Sequence, residues 1–165
     1  MTFLELARNR RSVRKFKDEP VDAELMKQVL EAARAAPTAA NMQPVRLIVV
    51  QSSEAKEKLS HAANCYGAPI SIIVCSDRSR AWKRPFDGKS TADIDASILT
   101  DHMMLCAADI GLAGVWICYF KPDVVRKEFN LPEGWEPVNI LALGRADESP
   151  APTPRIPLDE LASFC

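Results

Sequence analysis

Arg10-Arg11-Ser12-Val13-Arg14 places three guanidinium groups and one hydroxyl within five residues. Arginine's planar fork grips phosphate oxygens bidentately and stays charged at any working pH, so a turn carrying this run has the makings of a clamp for one compact anion. A solvated basic turn, its arginines paired with surface acids, is the competing reading. Ahead of the run, Thr2 to Asn9 reads as a short helix with Phe3, Leu4, Leu6 and Ala7 at helical spacing. Behind it, Asp22 is placed to cap a second helix, in which Leu25, Met26, Val29, Leu30, Ala33 and Ala36 repeat at core spacing until Pro37 stops it.

Further along, Val45 to Val50 has the β-branched content of a strand, and Ser52 or Ser53 then opens a polar helix running to about His61. Pro69 to Cys75 reads as a second, buried strand. Residues 77–90 carry Arg78, Arg80, Lys83, Arg84 and Lys89 with Trp82 and Phe86 but no periodicity, which is the profile of a long surface loop, either a lid over a ligand or a solvated excursion. Asp93 to Ile110 is an apolar helix ended by Gly111 as its cap. Ala113 to Phe120 reads as a strand, Pro122 to Phe129 as a short helix with proline in its first turn, and Val138 to Leu143 as the last strand. Four prolines between Ser149 and Pro157 predict an extended tail lying on another surface. No repeat or linker divides the chain, so the order predicts one α/β domain over residues 1–165, a sheet flanked by helices.

Composition narrows the function classes. The chain has 165 residues, 47% hydrophobic and 26% charged, with a net charge of -1, and no apolar run of the roughly 18 residues that span a bilayer. The first residues lack the basic-then-apolar layout of a secretory signal, which points to the cytoplasm. Basic residues crowd Arg8 to Lys17 instead of spreading over a broad excess, which fits one small anion better than nucleic acid. Cys65, Cys75, Cys106, Cys118 and Cys165 are widely spaced and odd in number, so the expectation is buried reduced thiols, without disulfides or zinc. His102 beside Asp101 reads as a structural hydrogen-bonded pair, and with His61 the only other histidine a metal site has few ligands.

Four segments in order resemble the flavin-binding pattern of the nitroreductase family. They are Arg10, Arg11, Ser12 and Arg14; Ala36-Pro37-Thr38-Ala39-Ala40-Asn41-Met42-Gln43-Pro44-Val45; Gly111-Leu112-Ala113-Gly114-Val115-Trp116-Ile117-Cys118; and Gly144-Arg145 with Pro154-Arg155-Ile156-Pro157. The resemblance implies a three-layer α/β (α+β) fold with a central, mostly antiparallel mixed sheet between helices, in an intertwined homodimer. It implies FMN as cofactor. Arg10, Arg11, Ser12 and Arg14 are then phosphate, ribityl and ring contacts, and Arg155, with Arg145 second, closes on the phosphate. Pro37, Thr38, Ala39, Asn41 and Gln43 reach the flavin from the neighbouring subunit. Trp116, Ile117 and Cys118 lie along the strand beneath the ring. Val45 stands where the family commonly has tryptophan, and Cys118-Tyr119 where glycine is frequent.

Ping-pong hydride transfer from NAD(P)H to FMN, and on to a nitroaromatic, quinone or similar acceptor, is the activity this implies. The cofactor carries the chemistry, so no catalytic side chain is required. A specialised enzyme acting on one metabolite, and a flavin-binding protein with little turnover, are the alternatives.

Overall fold

Two polar side chains set where the first helices begin. In the computed structural model, which describes residues 1–165, helix α1 (Phe3–Asn9) is opened by a capping box: Thr2 Oγ1 accepts from Glu5 N–H while the Glu5 carboxylate accepts from Thr2 N–H. Asp22 caps α2 (Ala23–Ala35) through Glu24 N–H at 2.7 Å. A single 3-10 turn follows at Ala39–Asn41, then strand β1 (Val45–Val50), α3 (Ser53–Ser60) capped by Ser52, and β2 (Ile70–Asp77). The chain continues through α4 (Ala92–Asp109), β3 (Ala113–Ile117), α5 (Pro122–Glu128), β4 (Trp135–Gly144) and α6 (Leu158–Leu161).

The four strands form one sheet in the order β1-β2-β4-β3, every neighbour antiparallel. The parallel component expected of a mixed sheet shrinks to one isolated bridge, Ser12 with Gly114. Side chains alternate across β2 and β4, and both faces are covered. Ile72, Val74, Leu141 and Leu143 pack with Met26, Val29 and Ala33 of α2 and with Ala96, Leu99, Met103 and Ala107 of α4. Ile73, Cys75, Ile140 and Ala142 pack with Leu59 of α3 and Val125 of α5. This double coverage makes the two central strands almost continuously apolar in sequence. Burying each of their large side chains stabilises the fold by about 1.5–3 kcal/mol.

Several boundaries depart from the sequence reading. Strand β3 ends at Ile117 rather than Phe120, and Tyr119 beyond it is 97% exposed. β4 begins three residues early, because Pro137 sits opposite Cys75, where the β2–β4 register shifts and a missing N–H is tolerated. α4 starts at Ala92 with Ile110 as its C-cap, and Gly111 follows at φ +81°, the left-handed position a glycine reaches freely. The apolar residues of α1 do not reach a core: Phe3 is 70% exposed and Leu4 56%. Ile94 of α4 is also exposed. His102 pairs with its own helix, Nδ1 lying 2.9 Å from Ile98 O, and not with Asp101; His61 faces Glu128. All five cysteines are free, but only Cys75 is fully buried, its thiol pushed up to about 12 mainly by burial; Cys118 and Cys165 are exposed. No helix is long and apolar enough to cross a membrane.

The segment after α1 is strapped across the end of the sheet. Val13 N–H donates to Gly114 O at 3.1 Å, Lys17 N–H to Arg145 O and Asp147 N–H to Lys15 O, both at 2.9 Å. Two glycines make room for the contacts beneath. A Cβ at Gly114 would lie 2.7 Å from Leu143 Cδ2, and one at Gly144 would lie 2.6 Å from Pro69 Cδ.

Candidate functional site

The strap turns the arginine run into one wall of a cleft. Ala7, Arg8, Arg10, Arg11, Ser12 and Arg14 face Pro150, Ala151, Pro152, Thr153 and Arg155 across a space of about 650 Å³. Five guanidinium-bearing residues line it and no acid does. None of the five takes part in a salt bridge. Nη1 of Arg10 is buried without a hydrogen-bond partner, a costly arrangement unless a ligand accepts from it. Such a set of donors fits a phosphate.

Backbone contacts hold the wall in shape. Arg11 Nη1 donates to the carbonyls of Arg8 at 2.6 Å and Arg10 at 3.0 Å, and the Arg14 N–H donates to Glu148 Oε1. The Arg14 guanidinium carbon lies 5.9 Å from the centre of the Tyr66 ring, in cation–π range. On the far wall, Arg155 Nη1 donates to the carbonyls of Thr153 and Pro154. Behind the strap, Lys15 and Asp147 pair at 2.8 Å; their mutual hydrogen bond holds the lysine above and the carboxyl below their usual ranges.

Arg145 is not part of this cleft. Its guanidinium faces Glu19 at 3.6 Å, while its carbonyl serves the strap, so its contribution is to the backbone. The structure adds Arg8, Tyr66 and the tail from Pro150 to Thr153, which sequence reasoning did not single out. Arg8 already stood in the acid-free basic stretch, and that was its signal.

The second segment forms a tight loop of its own. Ala40, Asn41 and Gln43 all adopt positive φ, at 49°, 54° and 48°. For residues with a Cβ this costs roughly 1–2 kcal/mol each. Gln43 N–H donates to Thr38 Oγ1 at 3.0 Å, Asn41 N–H to Thr38 O at 3.0 Å, and Gln43 Nε2 to Asn41 Oδ1 at 3.2 Å. Thr38 and Gln43 line a separate cavity of about 200 Å³ beside Leu30, Val45 and Leu99. No residue lines both this cavity and the arginine cleft. Within one chain, then, the two predicted halves of the site are not brought together.

The third segment is an edge strand. Since Gly114 O accepts from Val13 on the outer edge of β3, alternation sends the backbone groups of Trp116 the same way, away from β4. The Trp116 ring packs on the α2/α4 side, and its Nε1 is buried without a partner. Ile117 is buried toward α3 and α5, and the same alternation turns its backbone inward to Ile140 of β4, so its side chain is core and its backbone serves the sheet. Cys118 lies past the strand end, exposed.

The nitroreductase family profile matches residues 7–66 and 60–145, which takes in the strap, the strained loop and β3. The chain belongs to the nitroreductase family. A solved structure of a nitroreductase family protein from Clostridium difficile superposes with a TM-score of 0.94 at 50% identity, covering 99% of this chain and 98% of that one. A Methanothermobacter thermautotrophicus protein, provisionally named NADH dehydrogenase/NAD(P)H nitroreductase, is 33% identical over 91% of this chain and 80% of its own length. The FMN reductase [NAD(P)H] of Bacillus subtilis is 29% identical over 89% of this chain and 67% of its own length. Nitroreductase membership thus rests on most of the chain, as the four segments imply.

Proposed function

We propose that this nitroreductase-family chain is one FMN-binding domain that works as an NAD(P)H-dependent oxidoreductase, with a nitroaromatic, quinone or similar small molecule as acceptor. The observation that carries the reading is the acid-free cleft, in which Arg8, Arg10, Arg11, Arg14 and Arg155 converge without ion-pair partners. The names of the relatives, an FMN reductase and an NAD(P)H nitroreductase, support the cofactor and the electron donor.

Bound FMN supplies hydride chemistry between the nicotinamide and the acceptor, which protein side chains cannot perform. The chain's own residues bind and orient. Arg10, Arg11, Ser12 and Arg155 would hold the phosphate through charge-assisted hydrogen bonds. Arg14, steadied by Tyr66 and Glu148, would supply positive charge to the bound flavin. The outward backbone groups of Trp116 offer hydrogen bonds along the strand edge, and no side chain acts as general base.

The remaining contacts, from Pro37, Thr38, Ala39, Asn41 and Gln43, come from a second copy in this reading. Three observations favour a homodimer: the separation of the two half-sites, the exposed Phe3, Leu4 and Ile94, and the exposed Leu158, Leu161 and Phe164 of the tail. Two-fold assemblies are the commonest oligomers. We place the protein in the cytoplasm, with neither nucleic acid nor membrane as partner.

The test is the visible spectrum of the purified protein under anaerobic conditions. Flavin absorbance that bleaches with NADH or NADPH and returns with a nitroaromatic or quinone is expected. A colourless protein that takes up no added FMN would contradict the proposal.

A further inference from the structure

Asp95 is a carboxylate on the buried face of a helix. It lies in the first turn of α4, on the face shared by Ala92, Ala96 and Leu99, and is 1% exposed. No lysine, arginine or histidine pairs with it. A buried, unpaired charge is unfavourable unless hydrogen bonds replace water. Here two do: Ala39 N–H donates to Oδ1 at 2.9 Å, and Thr91 Oγ1 donates to Oδ2 at 3.1 Å.

The first of these bonds reaches the strained loop. Ala39 opens the 3-10 turn that contains Ala40 and Asn41, and positive φ at Ala40, Asn41 and Gln43 persists only if the surroundings over-determine it. The other side-chain hydrogen bonds at residues 38–43 come from within six positions along the chain, Arg46 of the adjoining β1 included; only Asp95, 56 residues away, reaches it from a part of the chain distant in sequence. Thr91 carries the connection onward, since its N–H donates to Trp82 O at 3.0 Å and its hydroxyl lies 3.2 Å from the same carbonyl. Trp82 belongs to the basic excursion 78–91, which is closed on itself by pairing of Lys83 with Ser90. The same excursion starts where Asp77 N–H donates to Pro44 O at 2.8 Å, at the far end of the loop.

We infer that Asp95 is a positioning residue: its carboxylate fixes the Thr38–Gln43 loop in the conformation that meets the cofactor, and ties that loop through Thr91 to the basic excursion. The inference rests on the FMN reading of the site and names the residue that prepares its second half. Geometry, rather than charge, is what the loop requires. An asparagine at 95 keeps the Oδ1 acceptor for Ala39, and its amide can donate to Thr91, whose hydroxyl then turns to Trp82 O.

The experiment compares wild type, D95A and D95N by FMN fluorescence titration of the flavin-free protein, with amide hydrogen exchange at Ala39 and melting temperature measured alongside. D95A leaves Ala39 N–H without its acceptor, so FMN binding weakens about tenfold or more and Ala39 loses protection. D95N stays within about threefold of wild type and keeps the protection, although its negative charge is gone. Either D95A binding FMN as wild type does, or D95N as weak as D95A, overturns the inference. If D95A melts too low to titrate, exchange at Ala39 in D95N decides: lost protection there overturns it, kept protection supports it. Wild-type protein that takes up no FMN while Ala39 stays protected would instead bring down the FMN reading and, with it, this role.

Discussion

Two stretches of this chain are rich in basic residues, with six in the ten from Arg8 to Lys17 and five in the fourteen from 78 to 91, and only one of them forms a cleft of converging cations. In the excursion after β2, Arg84 pairs with Asp87 and stacks near Phe86, and Arg78 pairs with Asp93. In the strap after α1, the cleft-lining arginines form no salt bridge and no acid lines the cleft, and the tail adds Arg155 to them from the far wall. Basic density in the sequence is the same kind of signal in both. What separates them is that Asp87 lies inside the excursion and Asp93 just beyond it, whereas Arg8 to Lys17 contains no acid and the fold brings Arg155 to it.

The largest effect should come from removing two cleft arginines. Arg10→Ala with Arg11→Ala deletes two charge-assisted contacts worth about 1.5–3 kcal/mol each, so FMN affinity falls by about 100-fold or more in a fluorescence titration. A double variant that binds as wild type would break the comparison outright. Arg155→Ala sharpens it, because a loss of about tenfold with unchanged melting temperature assigns the tail a ligand-binding role rather than a structural one.

Gly114→Ala attacks the frame beneath the strap instead. Its Cβ would meet Leu143 Cδ2 at 2.7 Å and Ala142 O at 2.9 Å. The expected cost is about 1–3 kcal/mol, read as a melting temperature lower by several degrees. An unchanged melting temperature would mean that the strand can shift to admit the methyl.

The smallest effects belong to the paired cations. Arg84→Ala should leave FMN affinity within about twofold and the melting temperature within about 2 °C, since exposed ion pairs contribute little. The contribution of the Lys15–Asp147 pair behind the strap should change only at the extremes of pH. Asp147 has a lowered carboxyl value, so its contribution is complete above the unfolded value and fades as pH falls below about 4. Lys15 has a raised value, so its contribution is complete below the ordinary lysine value and is lost only above about pH 10.4. Thermal melts from pH 5 to 9 should therefore be the same for Asp147→Asn and wild type, apart from a constant offset.

Local chemistry made much of this molecule legible in advance. The Asp22 cap, the Leu25 to Ala36 stripe, the Ser52 cap and the proline opening α5 each act within a few residues, and the helices stand where they point. The misreadings came from tertiary context. The last strand was expected from Val138, yet it begins before Pro137, whose missing N–H falls harmlessly at the register shift opposite it. Cys118 and Tyr119 looked like strand because they are apolar, yet nothing covers them.

At the site, the arginines were legible because charge without acid is visible in a list of residues. Arg145, second to Arg155 as the expected phosphate contact, lies outside the cleft and faces Glu19, a pairing that depends on the fold. Asp95 left a faint signal, an acid on the buried face of an apolar helix, whose meaning appears only once Ala39 is beside it.

The most direct measurement is a crystal structure of the protein grown with FMN. The account predicts the phosphate within hydrogen-bond distance of at least two of Arg10, Arg11, Ser12 and Arg155, with Thr38–Gln43 of a second copy facing the ring. A phosphate bound against the excursion of residues 78–91, or a flavin contacting one subunit only, would contradict it.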